Sequence, residues 1–226
     1  MEKFYPILEK NALFEGITPE KIPAVLKCLQ ARIKKFKRDE FICMEGDQAG
    51  FIGIVLAGQI QVFHDDYNGN RNLTASFGTG ALFAEAFACA GVAVMPVSIL
   101  SYTDSAILFI DARQLLGHSS DDCGFHAQIT ANLLKIMARK NMLLNQKLGY
   151  ISHKTTAEKL MSFLNDQAKL HQSLEFTIPY DRQGLADYLG VERSAMSAEL
   201  GKLQKQGVLI TKKNYFKLLA ASESKF

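Results

Sequence analysis

The segment Gly190–Lys217 holds six basic residues and two acidic ones. Arg193, Lys202, Lys205, Lys212, Lys213 and Lys217 supply its positive charge. Cations at that density suit an anionic polymer, because neutralising phosphates releases condensed counterions. The segment Gly80–Ile99, GALFAEAFACAGVAVMPVSI, is the opposite case. It carries one carboxylate, Glu85, and no basic residue. A lone acid among apolar and small residues has two uses. It caps a helix or turn by accepting backbone N–H bonds, or it accepts a hydrogen bond from a bound small molecule. The sequence leaves these two readings level.

The basic residues need elements to position them. In YDRQGLADYLGVERSAMSAELGKLQKQG, Asp181 is placed to cap a short helix with Leu185, Ala186 and Leu189 on one side. Gly190 then supplies the left-handed residue that a tight turn between crossed helices requires. A second helix from about Arg193 has Met196, Leu200 and Leu203 on its inner side. Its outer side presents Arg193, Ser194, Ser197, Ala198, Lys202 and Lys205. GVLITKKNYFKLL reads as two strands with Lys212, Lys213 and Asn214 at their turn. Together these predict a winged helix-turn-helix, with the second helix in the major groove and the wing against phosphates. The alternative is a helical hairpin that only packs. The turn glycine, the basic outer face and the wing jointly favour DNA binding.

Upstream, residues 1–35 read as helical. Thr18 stands at an N-cap position before Pro19 and Glu20, and Ile22, Val25, Leu26 and Leu29 form one stripe. Residues 36–112 change character: eight of the 16 glycines fall between Gly46 and Gly91. Short β-rich runs alternate there with turns, including a YNGN hairpin signal, and SILSYTDSAILFID adds two strands. Many short strands predict a sandwich or barrel. Residues 121–150 form a long helix. Ile129, Leu133, Ile136 and Leu143 fit a heptad seam interrupted at Lys140, with Met137, Leu144 and Leu148 in a second line. Two apolar lines ask for two partners, the β-domain and the same helix in a second copy. A single wide core-facing stripe accounts for them equally well. Thr155 and Glu158 form a T-x-x-E capping box, so a new helix starts there and the boundary falls at 149–154.

Composition bounds the function classes. The 226 residues are 48% hydrophobic and 22% charged, as a soluble globular chain should be. The net charge of +3 arises entirely after Ile151, where 11 basic residues face eight acidic ones. No apolar run approaches the roughly 20 residues of a membrane helix, and the N-terminus has no signal-like apolar region, so a cytoplasmic protein is expected. The four cysteines contain no C-x-x-C pair; buried free thiols are expected, with a redox pair formed across the fold as the alternative. No H-x-H or similar cluster is present, so a metal site, and with it a cupin-like enzyme, lacks ligands.

In DRQGLADYLGVERSAMSAEL the chain resembles the CRP/FNR family of bacterial transcription regulators, whose motif commonly runs R-x-x-L-A-x-x-L-G-V-x-R-S-A-x-S-R-E-L. The likeness of architecture covers nearly the whole length. It implies an α+β protein: a jelly-roll (double-stranded β-helix) sensor over 1–120, a dimerisation helix over 121–150 and a winged helix-turn-helix over 151–226. It also implies a homodimer on a palindromic DNA operator, in contact with RNA polymerase. By position, Arg193 meets a phosphate or base, and Ser194 and Ser197 face bases or backbone. Ala198 stands where many relatives place a guanine-reading Arg, and it would instead touch a thymine methyl.

The β-roll of this family resembles a cyclic-nucleotide cassette. There a Gly-Glu pair is followed some ten residues later by Arg-Ser or Arg-Thr, the Glu for the ribose hydroxyl and the Arg for the phosphate. Here Ala84-Glu85 and Met95-Pro96 occupy those places. A phosphate buried without a cation is costly, so cyclic AMP is not the expected effector. The resemblance implies a pocket lined by Leu82, Phe83, Glu85, Phe87, Met95 and Val97, with Asn145 approaching from the dimer seam. The clustered cysteines of an iron–sulfur regulator are absent. A haem would need His64, His118 or His126 as axial ligand and is not supported. The effector is left unidentified, and a ligand-independent regulator with a vestigial pocket is the alternative.

Overall fold

The computed structural model describes residues 2–65, 71–116 and 124–219. They form two compact units, Met1–Ala138 and Arg139–Phe226. In the first unit, two short helices, α1 (Tyr5–Glu9) and α2 (Ile22–Cys28), lead into β1 (Arg32–Phe36), β2 (Phe41–Cys43), β3 (Phe51–Ala57), β4 (Gln59–Asp65), β5 (Arg71–Gly78) and β6 (Leu82–Phe83). A five-residue helix, α3 (Glu85–Cys89), precedes β7 (Ser98–Ser101) and β8 (Ser105–Asp111), and α4 (Ala112–Leu116) follows. The long helix α5 (His126–Ser152) runs through the division between the units.

All strand pairings of the first unit are antiparallel, in two four-stranded sheets of order β1-β8-β3-β6 and β2-β7-β4-β5. This is the expected jelly roll. The first sheet is buried on both faces, and the two-residue period of a strand sorts its side chains. Ile33, Ile52, Ile54, Leu56, Ala106, Leu108 and Ile110 pack with the helices. Phe36, Phe51, Val55, Ile107 and Phe109 point the other way, into the space between the sheets. β4 and β5 pair from Asp65↔Arg71 onward, and the turn of YNGN lies outside the described residues.

One expectation fails at the start of this unit. The helical reading of residues 1–35 holds only to Cys28. Gln30 adopts a left-handed conformation with φ of 47°, and residues from Arg32 form β1. The strand exists because β8 pairs with all five of its residues, a partner about 75 positions away that no local pattern reveals. The cysteine expectation also changes. Cys43 is a buried free thiol, Cys89 an exposed one, Cys28 is disulfide-bonded, and Cys123 lies outside the described residues.

The start of α5 belongs to the first core. Asn132 is buried and donates to the carbonyls of Leu13 at 3.0 Å and Glu15 at 2.8 Å. Ile129 and Leu133 are 1% and 3% exposed and pack beside α2 and the sheet. They are therefore not available to a partner helix, and Ile136 is half covered by the same core. Of the expected seam, only Leu143 is open to solvent.

The second unit starts anew at α6 (Thr156–His171). Thr155 accepts from Glu158 N at 3.2 Å and Glu158 Oε2 accepts from Thr155 N at 3.0 Å, the reciprocal capping box. Then come β9 (Glu175–Thr177), α7 (Arg182–Leu189), α8 (Arg193–Lys205), β10 (Leu209–Lys212) and β11 (Tyr215–Leu218). β10 and β11 are the expected wing. β9 adds a third strand, giving the order β10-β11-β9, which the sequence did not announce. Leu160, Leu164, Leu185, Leu189, Met196, Leu200, Leu203 and Phe216 fill the core between these elements.

Candidate nucleic-acid interface and effector cassette

The turn that sets α8 against α7 is built as its residues require. Asp181 Oδ1 accepts from Gly184 N at 2.7 Å and caps α7. Gly190 closes it in the left-handed conformation, φ 60° and ψ 51°, and Val191 N bonds back to Ala186 O at 3.0 Å. Met196, Leu200 and Leu203 then hold α8 on the core. Arg193, Ser194, Ser197, Ala198 and Lys202 are all exposed on its outer side. Lys202 Nζ reaches back to Glu199 at 2.9 Å. Lys212 and Lys213 are exposed at the wing, where Lys213 takes a left-handed turn conformation. Asn214 fixes that turn: its side chain donates to Ile178 O at 3.1 Å and its carbonyl accepts from Ile178 N at 3.0 Å.

Arg182 was missed from sequence. It follows the cap residue of α7 and is the first arginine of the quoted family motif, a signal that could have singled it out. Its Nη2 donates to Thr211 Oγ1 at 2.7 Å, and its guanidinium lies 5.2 Å from the Phe216 ring centroid. Partial burial pulls its pKa below the usual guanidinium range. Its Nη1 is buried without an acceptor among the described residues. Arg182, Arg193 and Lys213 line one open cleft of about 590 Å³, with Tyr180 and Asn214 beside them. Three cations from α7, α8 and the wing thus surround one space. An unanswered guanidinium N–H costs free energy that a nearby anion offsets.

The cassette has the contrary electrostatics. Ala84 precedes α3 in a left-handed conformation, φ 61° and ψ 0°. This is the backbone a glycine would adopt freely. Glu85 opens α3 and is 4% exposed. Met95 is 1% exposed, and its N–H and carbonyl bond to Asp47 O at 2.8 Å and Gly46 N at 2.9 Å. Phe83 and Met95 share the inter-sheet cluster, with Phe87 and Val97 packed at its edge. Leu82 does not join them. As the neighbour of Phe83 on β6 it points to the opposite face, into the helix-packed core, so the expected pocket loses that wall. Phe83 lies across Gly53, where a Cβ would collide with its ring, and meets Phe51 at 6.2 Å and Phe77 at 6.4 Å between centroids.

Asn145 is exposed on α5 in the second unit and donates to Asn141 Oδ1 at 2.7 Å. His64 Nδ1 is 3.2 Å from Glu45, and His126 Nε2 is 2.7 Å from Gln114 O. His118 lies outside the described residues. Among the described residues no group of three His, Cys, Asp or Glu is arranged to hold a metal.

Comparison with known proteins agrees with this geometry. Residues 33–119 match the model of a cyclic nucleotide-binding domain, and residues 158–222 match that of a Crp-like helix-turn-helix domain. A roll of the first kind joined to a DNA-binding domain of the second defines a transcription regulator. The chain belongs to the CRP/FNR family. It is 22% identical to the cyclic AMP receptor protein of Thermus thermophilus over 210 residues, 89% of each chain. Its fold resembles that of the c-di-GMP-responsive global regulator CLP of Xanthomonas campestris, with a TM-score of 0.55 and 16% identity over 87% of this chain and 98% of that one. It also resembles DNR of Pseudomonas aeruginosa, with a TM-score of 0.51 and 15% identity over 97% and 95%. Among the described residues, no helix is long and apolar enough to cross a membrane.

Proposed function

We propose that this regulator acts in the cytoplasm as a homodimer on a palindromic operator. One observation carries the proposal: Arg182, Arg193 and Lys213 converge on one cleft beside the start of α8. The cleft engages a backbone phosphate and sets the helix in register, while Arg193, Ser194, Ser197 and Ala198 face the bases. Lys202 and Lys212 add to the phosphate-binding surface. RNA polymerase is the further partner that membership of the family suggests.

The dimer rests on α5. Leu134, Met137, Asn141, Leu144 and Leu148 recur at alternating spacings of three and four, and all but the half-buried Met137 are exposed. This seam differs from the one expected, because the first core has taken Ile129 and Leu133. An asparagine within such a seam suits a two-stranded, in-register pair. Leu144→Glu together with Leu148→Glu should yield a monomer by light scattering and lose operator binding.

Gel-shift titrations on genomic fragments test the DNA reading; no specific retardation at low or moderate salt sinks it. For the roll, an effector other than cyclic AMP is one reading. The packing of Phe83 over Gly53 and against Phe51 and Phe77 favours the second, a regulator that binds DNA without an effector. Under either reading cyclic AMP should not raise the melting temperature, since only ligands that bind the native state do so.

A further inference from the structure

The DNA-facing side of α8 contains a residue that its own fold does not require. With Met196, Leu200 and Leu203 facing inward, the 3.6-residue period sets Ser194, Ala198 and Gly201 on the opposite side. Gly201 lies inside the helix, where glycine is the poorest former after proline. Its φ is not left-handed, so no turn demands it. A Cβ built there meets nothing within 4 Å among the described residues, so no packing among them demands it either. The contrast within the same chain is sharp: Gly53 is required by the Phe83 ring and Gly190 by its φ of +60°. Among the described residues nothing needs the space at Gly201. Between Arg193 and Lys202, every fully exposed side chain is a serine or an alanine, and Lys202 is drawn back to Glu199.

We infer that α8 reads its operator at close range, with Gly201 providing clearance for the DNA and Ala198 selecting a thymine through its 5-methyl group. The inference rests on the DNA-binding reading above. Long side chains hold a recognition helix away from base edges, whereas this helix brings its backbone near them. Alanine against a thymine methyl is an apolar contact that the other three bases do not offer in the major groove. The selected half-site therefore contains at least one thymine whose methyl group is read and which no arginine specifies.

The experiment uses the full chain. Operators are selected from random duplex DNA, and each thymine of the winning half-site is then replaced by deoxyuracil, which lacks only the methyl. At one position this should weaken binding about three- to tenfold, the scale of a single lost base contact. Gly201→Ala should raise the melting temperature, because alanine is the better helix former, and yet weaken the selected operator at least about fivefold. Opposite signs on stability and affinity separate clearance from misfolding. Two results overturn the inference: Gly201→Ala binding as well as the parent, or no thymine sensitive to loss of its methyl. If the parent selects no sequence, the DNA reading fails first and this inference with it. A selected site without the methyl dependence overturns this inference alone.

Discussion

The two units of this chain solve opposite forms of one electrostatic problem. At the helix-turn-helix, Arg182, Arg193 and Lys213 surround a cleft, and one guanidinium N–H there has no acceptor among the described residues. In the roll, the position that holds the phosphate's cation in related cassettes carries Met95, buried in an apolar cluster. The family resemblance implies phosphate recognition at both places. One retains its charge at a cost in desolvation, and the other has exchanged it for packing. A buried cation is worth keeping only where an anion arrives to meet it. On the proposed reading, the phosphate chemistry of this protein belongs to its second unit.

The largest effect should come from reversing that exchange. Met95→Arg puts a charge into the cluster of Val55, Phe83 and Ile107. We expect a loss of at least about 3 kcal/mol in urea unfolding, the penalty of an unpaired buried charge. No affinity for cyclic AMP should appear. Retained stability together with new binding would mean that the roll still keeps a phosphate-shaped space, and the contrast would break. In the other unit, Arg182→Ala and Lys213→Ala should each weaken DNA binding by about 1.5 kcal/mol, roughly tenfold. The loss should be similar on all sequences, and the slope of log affinity against log salt should shrink by about 0.9 per removed contact. Arg182→Lys sharpens the test, since it keeps the charge but not the geometry of the bond to Thr211. An unchanged salt slope would remove Arg182 from the interface.

The same contrast governs how much could be read in advance. The second unit was legible because its signals are local: a cap at Asp181, a left-handed glycine at Gly190, and inner residues three or four apart in α8. The roll was legible as a class but not in detail. β1 is a strand because β8 pairs with it. Leu82 and Phe83 were grouped as pocket lining, yet adjacent strand residues face opposite ways, and only the sheet order shows which core each enters. Ile129 and Leu133 fit a seam by spacing, but the carbonyls of Leu13 and Glu15 anchor that stretch of α5 to the first core through Asn132. Arg182 stands at the first arginine of the family motif, but its bond to Thr211, 29 residues away, has no local signal. Spacing reports periodicity; it does not report which surface arrives to cover a face.

A smaller effect is expected where the second unit begins. Thr155→Ala removes the cap of α6 and should cost about 1 kcal/mol. The bond from Thr155 N holds the Glu158 carboxyl below its usual range of 4.5. Its contribution is therefore present above that value and disappears as pH falls through the lower, folded one. Glu158→Gln should remove this acid-limb dependence of α6 without altering DNA contacts. If the dependence survives, the capping box does not act as a linked unit.

The smallest effect decides how the cassette kept its shape. Ala84 sits in the left-handed region before Glu85. That conformation costs a residue with a Cβ roughly 1–2 kcal/mol. Glycine would remove the strain, but it would also widen the unfolded ensemble, at a cost of about 0.4–1 kcal/mol. The strain is the larger quantity, so Ala84→Gly should stabilise the protein by about 0.5–1 kcal/mol, read as a shift in the urea midpoint at constant m-value. The surroundings explain why the alanine persists in this conformation. Glu85 is buried, and Phe83 on the other side is locked over Gly53. The turn between them has little freedom to relax. A destabilising Ala84→Gly would mean that the alanine methyl contributes packing that outweighs its strain. The site would then be a core rebuilt around alanine, not a glycine turn held in place by its neighbours.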